Sequence, residues 1–130
     1  MKVISTYTHG ILDYVVGIAL ILAPNLFGFA EVGGAAVNVP RILGILILLQ
    51  SVVTDYELSL FKILPMRTHL MMDYLAFLVL AASPFIFGFN EGPANQWTPH
   101  LMVGLIGLIA TACTETEPRR VAVTRSHGMP

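Results

Sequence analysis

Two histidines and two aspartates carry what chemistry this chain could do: His9 with Asp13, and His69 with Asp73. Within each pair the spacing is four residues. On a helix that leaves them rotated by about 40° and separated by about 6 Å along the axis, on one face. Imidazole together with carboxylate is a ligand set for Zn²⁺, Fe or Mn, and equally a set that can exchange protons. The pairs are copies of one segment. Thr8-His9-Gly10-Ile11-Leu12-Asp13-Tyr14 returns sixty positions later as Thr68-His69-Leu70-Met71-Met72-Asp73-Tyr74. Two helices presenting these faces to a common axis would bring two imidazoles and two carboxylates together. Tyr14, Tyr74, Glu57 and Glu117 are candidates for a second rank around them. Thr54, Asp55, Thr114 and Glu115 fall at the same level of the chain and could supply further acceptors. A transition metal is the cofactor such a set could hold. A haem between His9 and His69 is supported by nothing else in the sequence.

The same residues have a plainer reading. Asp13 and Asp73 lie only about 7–8 Å below the helix starts. There a carboxylate benefits from the helix N-terminus and can hydrogen-bond a neighbouring histidine. Two His–Asp pairs and two tyrosines would then tie helix ends together, or persist as a relic of duplication.

The elements that must position these residues are apolar helices. Apolar residues make up 55% of the 130 and charged residues 12%, about half the usual share of roughly 25%. No Asp, Glu, Lys or Arg occurs in 14–30, 42–54, 74–90 or 92–114. Four such runs cannot each find an interior in so small a protein, and a bilayer is the solvent that tolerates them. The net charge of −1 argues against nucleic acid as a partner, since phosphate binding needs a concentrated basic surface. Cys113 is the only cysteine, which leaves no intrachain disulfide and reads as a small packing residue. The first run lacks a clean cleavage site, carries Asp13 early and recurs as the third run, so it reads as a retained helix rather than a signal peptide.

Shifted by sixty, the sequence also matches itself at Leu20, Pro24, Phe27, Gly28, Phe29, Glu31, Gly44, Leu48, Thr54 and Glu57. Shared apolar composition does not produce matched His, Asp, Pro, Gly and Glu in register, so the chain is a duplicated helix pair. The expected fold is all-α, a single membrane domain. It is a four-helix transmembrane bundle of two tandem hairpins, with repeat 1 over about 8–57 and repeat 2 over about 68–117. The first helix is expected from Thr8, as N-cap, to about Phe27, and the second from about Pro40 to Asp55 after a Gly-rich turn over 30–39. A short amphipathic connector over 58–67 should lie along the interface. The third helix should start at Thr68 and end near Gly88. The fourth should run from about Pro99 to Thr114, and a polar tail over 118–130 should follow. Pro24 and Pro84 are expected to kink the first and third helices near their ends. Gly44, Gly104 and Gly107 should permit close helix approach. His100 is expected at the interface.

Lys2, Lys62, Arg67, Arg119, Arg120 and Arg125 flank one side of the runs, and only Arg41 belongs to the other. The positive-inside rule places both termini and the connector in the cytoplasm. The two hairpins then share an orientation, related by a pseudo-twofold axis along the membrane normal.

Around Ala23-Pro24-Asn25-Leu26-Phe27-Gly28-Phe29 and Ser83-Pro84-Phe85-Ile86-Phe87-Gly88-Phe89, the chain resembles the SPW-repeat family of small bacterial integral membrane proteins. That family is named for a Ser-Pro-Trp element near the end of the first of two transmembrane helices. The second copy keeps Ser83-Pro84 with Phe85 in the Trp position, and the first has Ala23 and Asn25. The resemblance implies a protein of the bacterial inner membrane and no particular activity.

Three functions fit these residues. The first is a non-enzymatic structural, assembly or accessory component of the membrane. Its partners would be the bilayer and either a second copy of the chain or another membrane protein. The second is a metal- or proton-binding site made by His9, Asp13, His69 and Asp73. The third is a small oligomeric permease or channel passing the prolines, for which Gln50 and Ser51 are the obvious polar residues at mid-depth.

Overall fold

The computed structural model describes residues 2–118. The arginines of the expected polar tail lie outside the described residues. The elements are α1 (Thr6–Leu26), α2 (Gly34–Val53), α3 (Met66–Ile86) and α4 (Thr98–Ala112). Single turns of 3-10 helix lie at Ala30–Val32, Phe89–Glu91 and Ala94–Gln96. α1 packs on α2 and α3 on α4, as two hairpins joined chiefly through α2 and α3; the α1–α4 seam is the thinnest. At 21, 20 and 21 residues, α1, α2 and α3 reach about 30 Å, enough to cross the hydrocarbon core. The 15 residues of α4 reach only about 22 Å.

The faces sort by polarity in the manner of a bundle in lipid. Leu20, Ile47, Phe77 and Leu80 fill the centre. Val15, Ile18 and Leu22 on α1, Ile45 and Leu49 on α2, Leu75 and Leu78 on α3, and Leu105 and Ile109 on α4 all point outward. The polar side chains Thr6, His9, Asp13, Gln50, Ser51, Thr54, His69, Asp73, Thr111 and Thr114 are buried. Water-soluble folds place these classes the other way round.

Several boundaries differ from the expectation. α1 starts two residues before Thr8 because Ser5 caps it, its Oγ accepting the Thr8 amide at 3.1 Å. The third helix likewise starts before Thr68, at Met66 behind Pro65. The connector over 58–64 forms no helix. Its amides are spent on the last carbonyls of α2: Leu60 and Phe61 donate to Val52 O at 3.0 and 2.9 Å, and Ile63 and Leu64 donate to Val53 O at 3.0 and 2.7 Å. A helix end needs such donors. Thr54 then pairs with Leu64 in an isolated parallel bridge, and Ile4 pairs with Thr114 in the same way. These bridges are related by the sixty-residue shift, so the structural repeat begins at Ile4 and Leu64.

The largest difference is α2, which begins six residues before Pro40 and holds that proline in its interior. A proline there removes the bond that would reach the carbonyl four residues back. That carbonyl belongs to Ala36, and His100 Nε2 lies 2.7 Å from it. His100, in the first turn of α4, turns into the bundle rather than onto its surface. It is 2% exposed, between the rings of Phe29 and Phe89 at 5.4 and 4.9 Å, and replaces the donor that Pro40 lacks. Pro84 meets the same need differently: Ser83 Oγ donates to Leu80 O, four residues before the proline, at 2.7 Å. Both Pro24 and Pro84 lie buried near the ends of their helices. In the first repeat Ala23 has no hydroxyl, and Arg41 Nε reaches the neighbouring Ile21 O at 3.3 Å. Ser83→Ala should lower stability by about 1 kcal/mol, the net worth of one buried hydrogen bond, read from reversible unfolding in mixed micelles.

Candidate functional site

The site is built in the first turns of α1 and α3. His9 and His69 project from matched positions, and Asp13 and Asp73 follow one turn later on the same faces. All four are buried, with exposures of 3%, 0%, 3% and 0% in that order. They meet as an alternating ring. His9 Nε2 lies 3.1 Å from Asp13 Oδ1 and 2.8 Å from Asp73 Oδ2. His69 Nε2 lies 3.0 Å from Asp13 Oδ2 and 3.1 Å from Asp73 Oδ2. Each imidazole thus touches the carboxylate of its own helix and that of the other, which only a parallel repeat around a common axis produces.

The outer nitrogens are held as symmetrically. His9 Nδ1 lies 2.8 Å from Thr114 Oγ1, and His69 Nδ1 lies 2.6 Å from Thr54 Oγ1. Those hydroxyls already donate to the carbonyls four residues back, Thr114 to Ala110 O at 2.7 Å and Thr54 to Gln50 O at 2.6 Å. A hydroxyl has one hydrogen. Its lone pairs therefore receive the imidazole, so each Nδ1 carries a proton and each Nε2 is turned into the ring, where His9 Nε2 donates to Asp73 Oδ2 at 2.8 Å.

Around the carboxylates the symmetry breaks. Gln50 Nε2 donates to Asp73 Oδ1, and Tyr56 OH donates to Asp13 Oδ2 at 3.1 Å. The shifted positions are Ala110 and Thr116, which cannot repeat these bonds. Burial and the adjacent Asp13 carboxylate push the Tyr56 phenol well above its ordinary range, so it stays a neutral donor. Tyr56 is 1% exposed and approaches α1 at Gly10, where a Cβ would stand 3.0 Å from its ring.

The four candidate ligands converge, and the expected second rank does not surround them. Tyr14 OH donates outward to Leu58 O at 2.9 Å. Tyr74 is 39% exposed on the lipid-facing side. Glu57 accepts Thr6 Oγ1 on both oxygens, at 2.7 and 2.9 Å, at the start of α1. Glu117 faces Arg67 at 3.9 Å, both of them three-quarters exposed. These side chains are displaced because each lies one position off the inward stripe or beyond a helix end. Thr54 and Thr114 are the members of that level that reach the ring. Gln50 and Tyr56 are the participants not anticipated. Gln50 stands one turn before Thr54 on the same face, which is a usable signal; Tyr56 lies past the helix, where periodicity says nothing.

Chemically, the ring offers two nitrogen and two oxygen ligand atoms, all within 4.8 Å of one another. It can hold two helical hairpins together, and it can hold a cation. The comparison with curated proteins and that with solved structures each yield no match. A family model, the SPW repeat domain, matches residues 7–114. That span takes in both hairpins and the whole ring. With its paired apolar helices and the Ser83-Pro84 element in place, this integral membrane protein belongs to the SPW-repeat family.

Proposed function

We propose that this chain is a non-enzymatic structural component of the bacterial inner membrane, a rigid helical unit that assembles with other proteins inside the bilayer. The observation that carries this reading is the ring itself, whose four buried His–Asp contacts include two, His9–Asp73 and His69–Asp13, that join the hairpins. The centre of the bundle is filled by Leu20, Ile47, Phe77 and Leu80; Gln50 and Ser51, expected at mid-depth, lie instead in the last turn of α2, where Gln50 binds Asp73 and Ser51 spends its hydroxyl on Ile47 O at 2.7 Å. These favour a rigid unit over a permeation path. The outward faces of all four helices are apolar, and the connections between helices are short. A partner, whether a second copy or another membrane protein, is therefore met within the hydrocarbon layer. The α1–α4 seam offers two apolar cavities of about 170 and 260 Å³ that share Val16 and Val103. Lys2, Lys62 and Arg67 stand at the end of the bundle that holds the ring, and by the positive-inside rule this supports an orientation with that end in the cytoplasm.

Spin labels at Ile18 on α1 and Ile109 on α4, in a Cys113→Ser background, test the rigidity in nanodiscs. The expected result is one narrow distance distribution, unchanged by a pH or ion gradient. Two populations that exchange under a gradient would overturn the structural reading and favour a transporter.

A further inference from the structure

We infer that the ring is a structural binding site for one divalent first-row transition-metal ion, with Zn²⁺ as the reference ion. This rests on the ring's role in joining the hairpins and adds an occupant. Three observations carry it. First, both imidazoles present Nε2 inward because Thr54 and Thr114 hold their Nδ1–H groups. Fixing the remote nitrogen of a histidine is how a protein orients a metal ligand. Second, His69 Nε2 is fully buried and makes no hydrogen bond, although carboxylate oxygens stand 3.0 and 3.1 Å away. That nitrogen is the one buried ring atom of the four residues left without a hydrogen bond, and it stands between the two carboxylates. Third, Gln50 engages the outer oxygen of Asp73 and Tyr56 one oxygen of Asp13. This favours one-oxygen ligation by each carboxylate.

The geometry and charge agree with such an ion. Four ligands at about 2.0–2.1 Å from a tetrahedral centre lie about 3.3 Å apart. The ring's nitrogen–oxygen contacts of 2.8–3.1 Å would expand by a few tenths of an ångström, and the more widely spaced ligand atoms, all within 4.8 Å of one another, would draw in. A divalent ion that displaces the two ring-side Nε2 protons to solvent leaves, with two carboxylates and two neutral imidazoles, a site as neutral overall as the ion-paired ring, which is the charge a buried low-dielectric site requires. The N₂O₂ set suits Zn²⁺, Fe²⁺, Co²⁺ or Mn²⁺ and lacks the thiolate or thioether ligands that select Cu⁺. With all four positions supplied by the protein, the site is closed, as structural sites are.

The test uses the full chain in nanodiscs, loaded with Zn²⁺ or Co²⁺, desalted and measured by elemental analysis. We expect one ion per chain, and for Co²⁺ the electronic spectrum of a tetrahedral site. His9→Ala with His69→Ala should lower occupancy below one tenth. Thr54→Val, which keeps every ligand, should weaken binding by about 10–100-fold. Tyr14→Phe, whose hydroxyl points away from the ring, should bind like the parent. Circular dichroism separates lost ligands from lost fold, and Thr54→Val keeps the test informative if the double variant does not fold. Folded parent protein that stays metal-free after loading would overturn the site, while a rigid bundle in the same sample would leave the structural reading standing. Equal binding by parent and double variant would also overturn it.

Discussion

Asp73→Ala is expected to destabilise the bundle by roughly 3–5 kcal/mol, the cost of breaking a buried ion pair by removing one partner. Asp73 is wholly buried and stands between His9 at 2.8 Å and His69 at 3.1 Å, with Gln50 donating to its other oxygen. Removing the carboxylate leaves two imidazoles facing each other across one remaining acidic group and strands the Gln50 amide without its acceptor. A low-dielectric surrounding makes each of those losses larger than it would be at a surface. The physical contrast is the quadruple change of His9, Asp13, His69 and Asp73 to leucine. It removes both signs of charge at once and should cost less than the single substitution. Reversible unfolding in mixed micelles measures both. A loss below about 1 kcal/mol for Asp73→Ala, the scale of an exposed ion pair, would mean that the ring does not hold the hairpins together.

Gly44→Ala is expected to cost about 1–3 kcal/mol, the usual range for overpacking, even though alanine is the better helix former by about 1 kcal/mol. A Cβ at Gly44 would stand 2.6 Å from Gly17 O and 3.1 Å from the Ile21 amide nitrogen. Both are backbone atoms of α1, and relieving the overlap requires the helices to separate. Gly17→Ala offers the comparison. Its Cβ would meet Leu48 Cδ2 and Cγ, both at 2.7 Å, and the Gly44 carbonyl oxygen at 3.2 Å; a change of Leu48 rotamer relieves the first two and the backbone contact is milder than at Gly44, so Gly17→Ala should cost less than Gly44→Ala. Gly104→Ala should follow Gly44→Ala, because its Cβ would lie 2.7 Å from the Ala81 nitrogen. Unfolding measurements on the three variants give the order directly. Equal effects at Gly17 and Gly44 would contradict the assigned α1–α2 contact.

Much of this arrangement was legible along the chain. The charge-free runs require helices in lipid, and the sixty-residue repeat requires two hairpins in one orientation. Identical His-x-x-x-Asp spacings in both copies then put four ligand groups at one depth. Helix starts were less legible because caps and prolines act through particular partners. Ser5 displaced Thr8 as the cap of α1 by reaching the Thr8 amide. Pro40, expected at the first turn of α2, sits inside it because His100, 60 residues away in sequence, occupies the carbonyl it frees.

Periodic and local properties are written along the chain: four apolar helices, their pairing, and the faces bearing His9, Asp13, His69 and Asp73. Those follow from 3.6-residue periodicity and from duplication, which any window of the chain carries. What completes the ring comes from helix packing. Thr114 reaches His9 across 105 positions and Tyr56 reaches Asp13 across 43, while Tyr74, Glu57 and Glu117 fall outside it. Such pairings depend on the rotation and offset of packed helices, which side-chain volumes set through close contacts such as Gly17 against Gly44. No spacing along one strand of sequence encodes them.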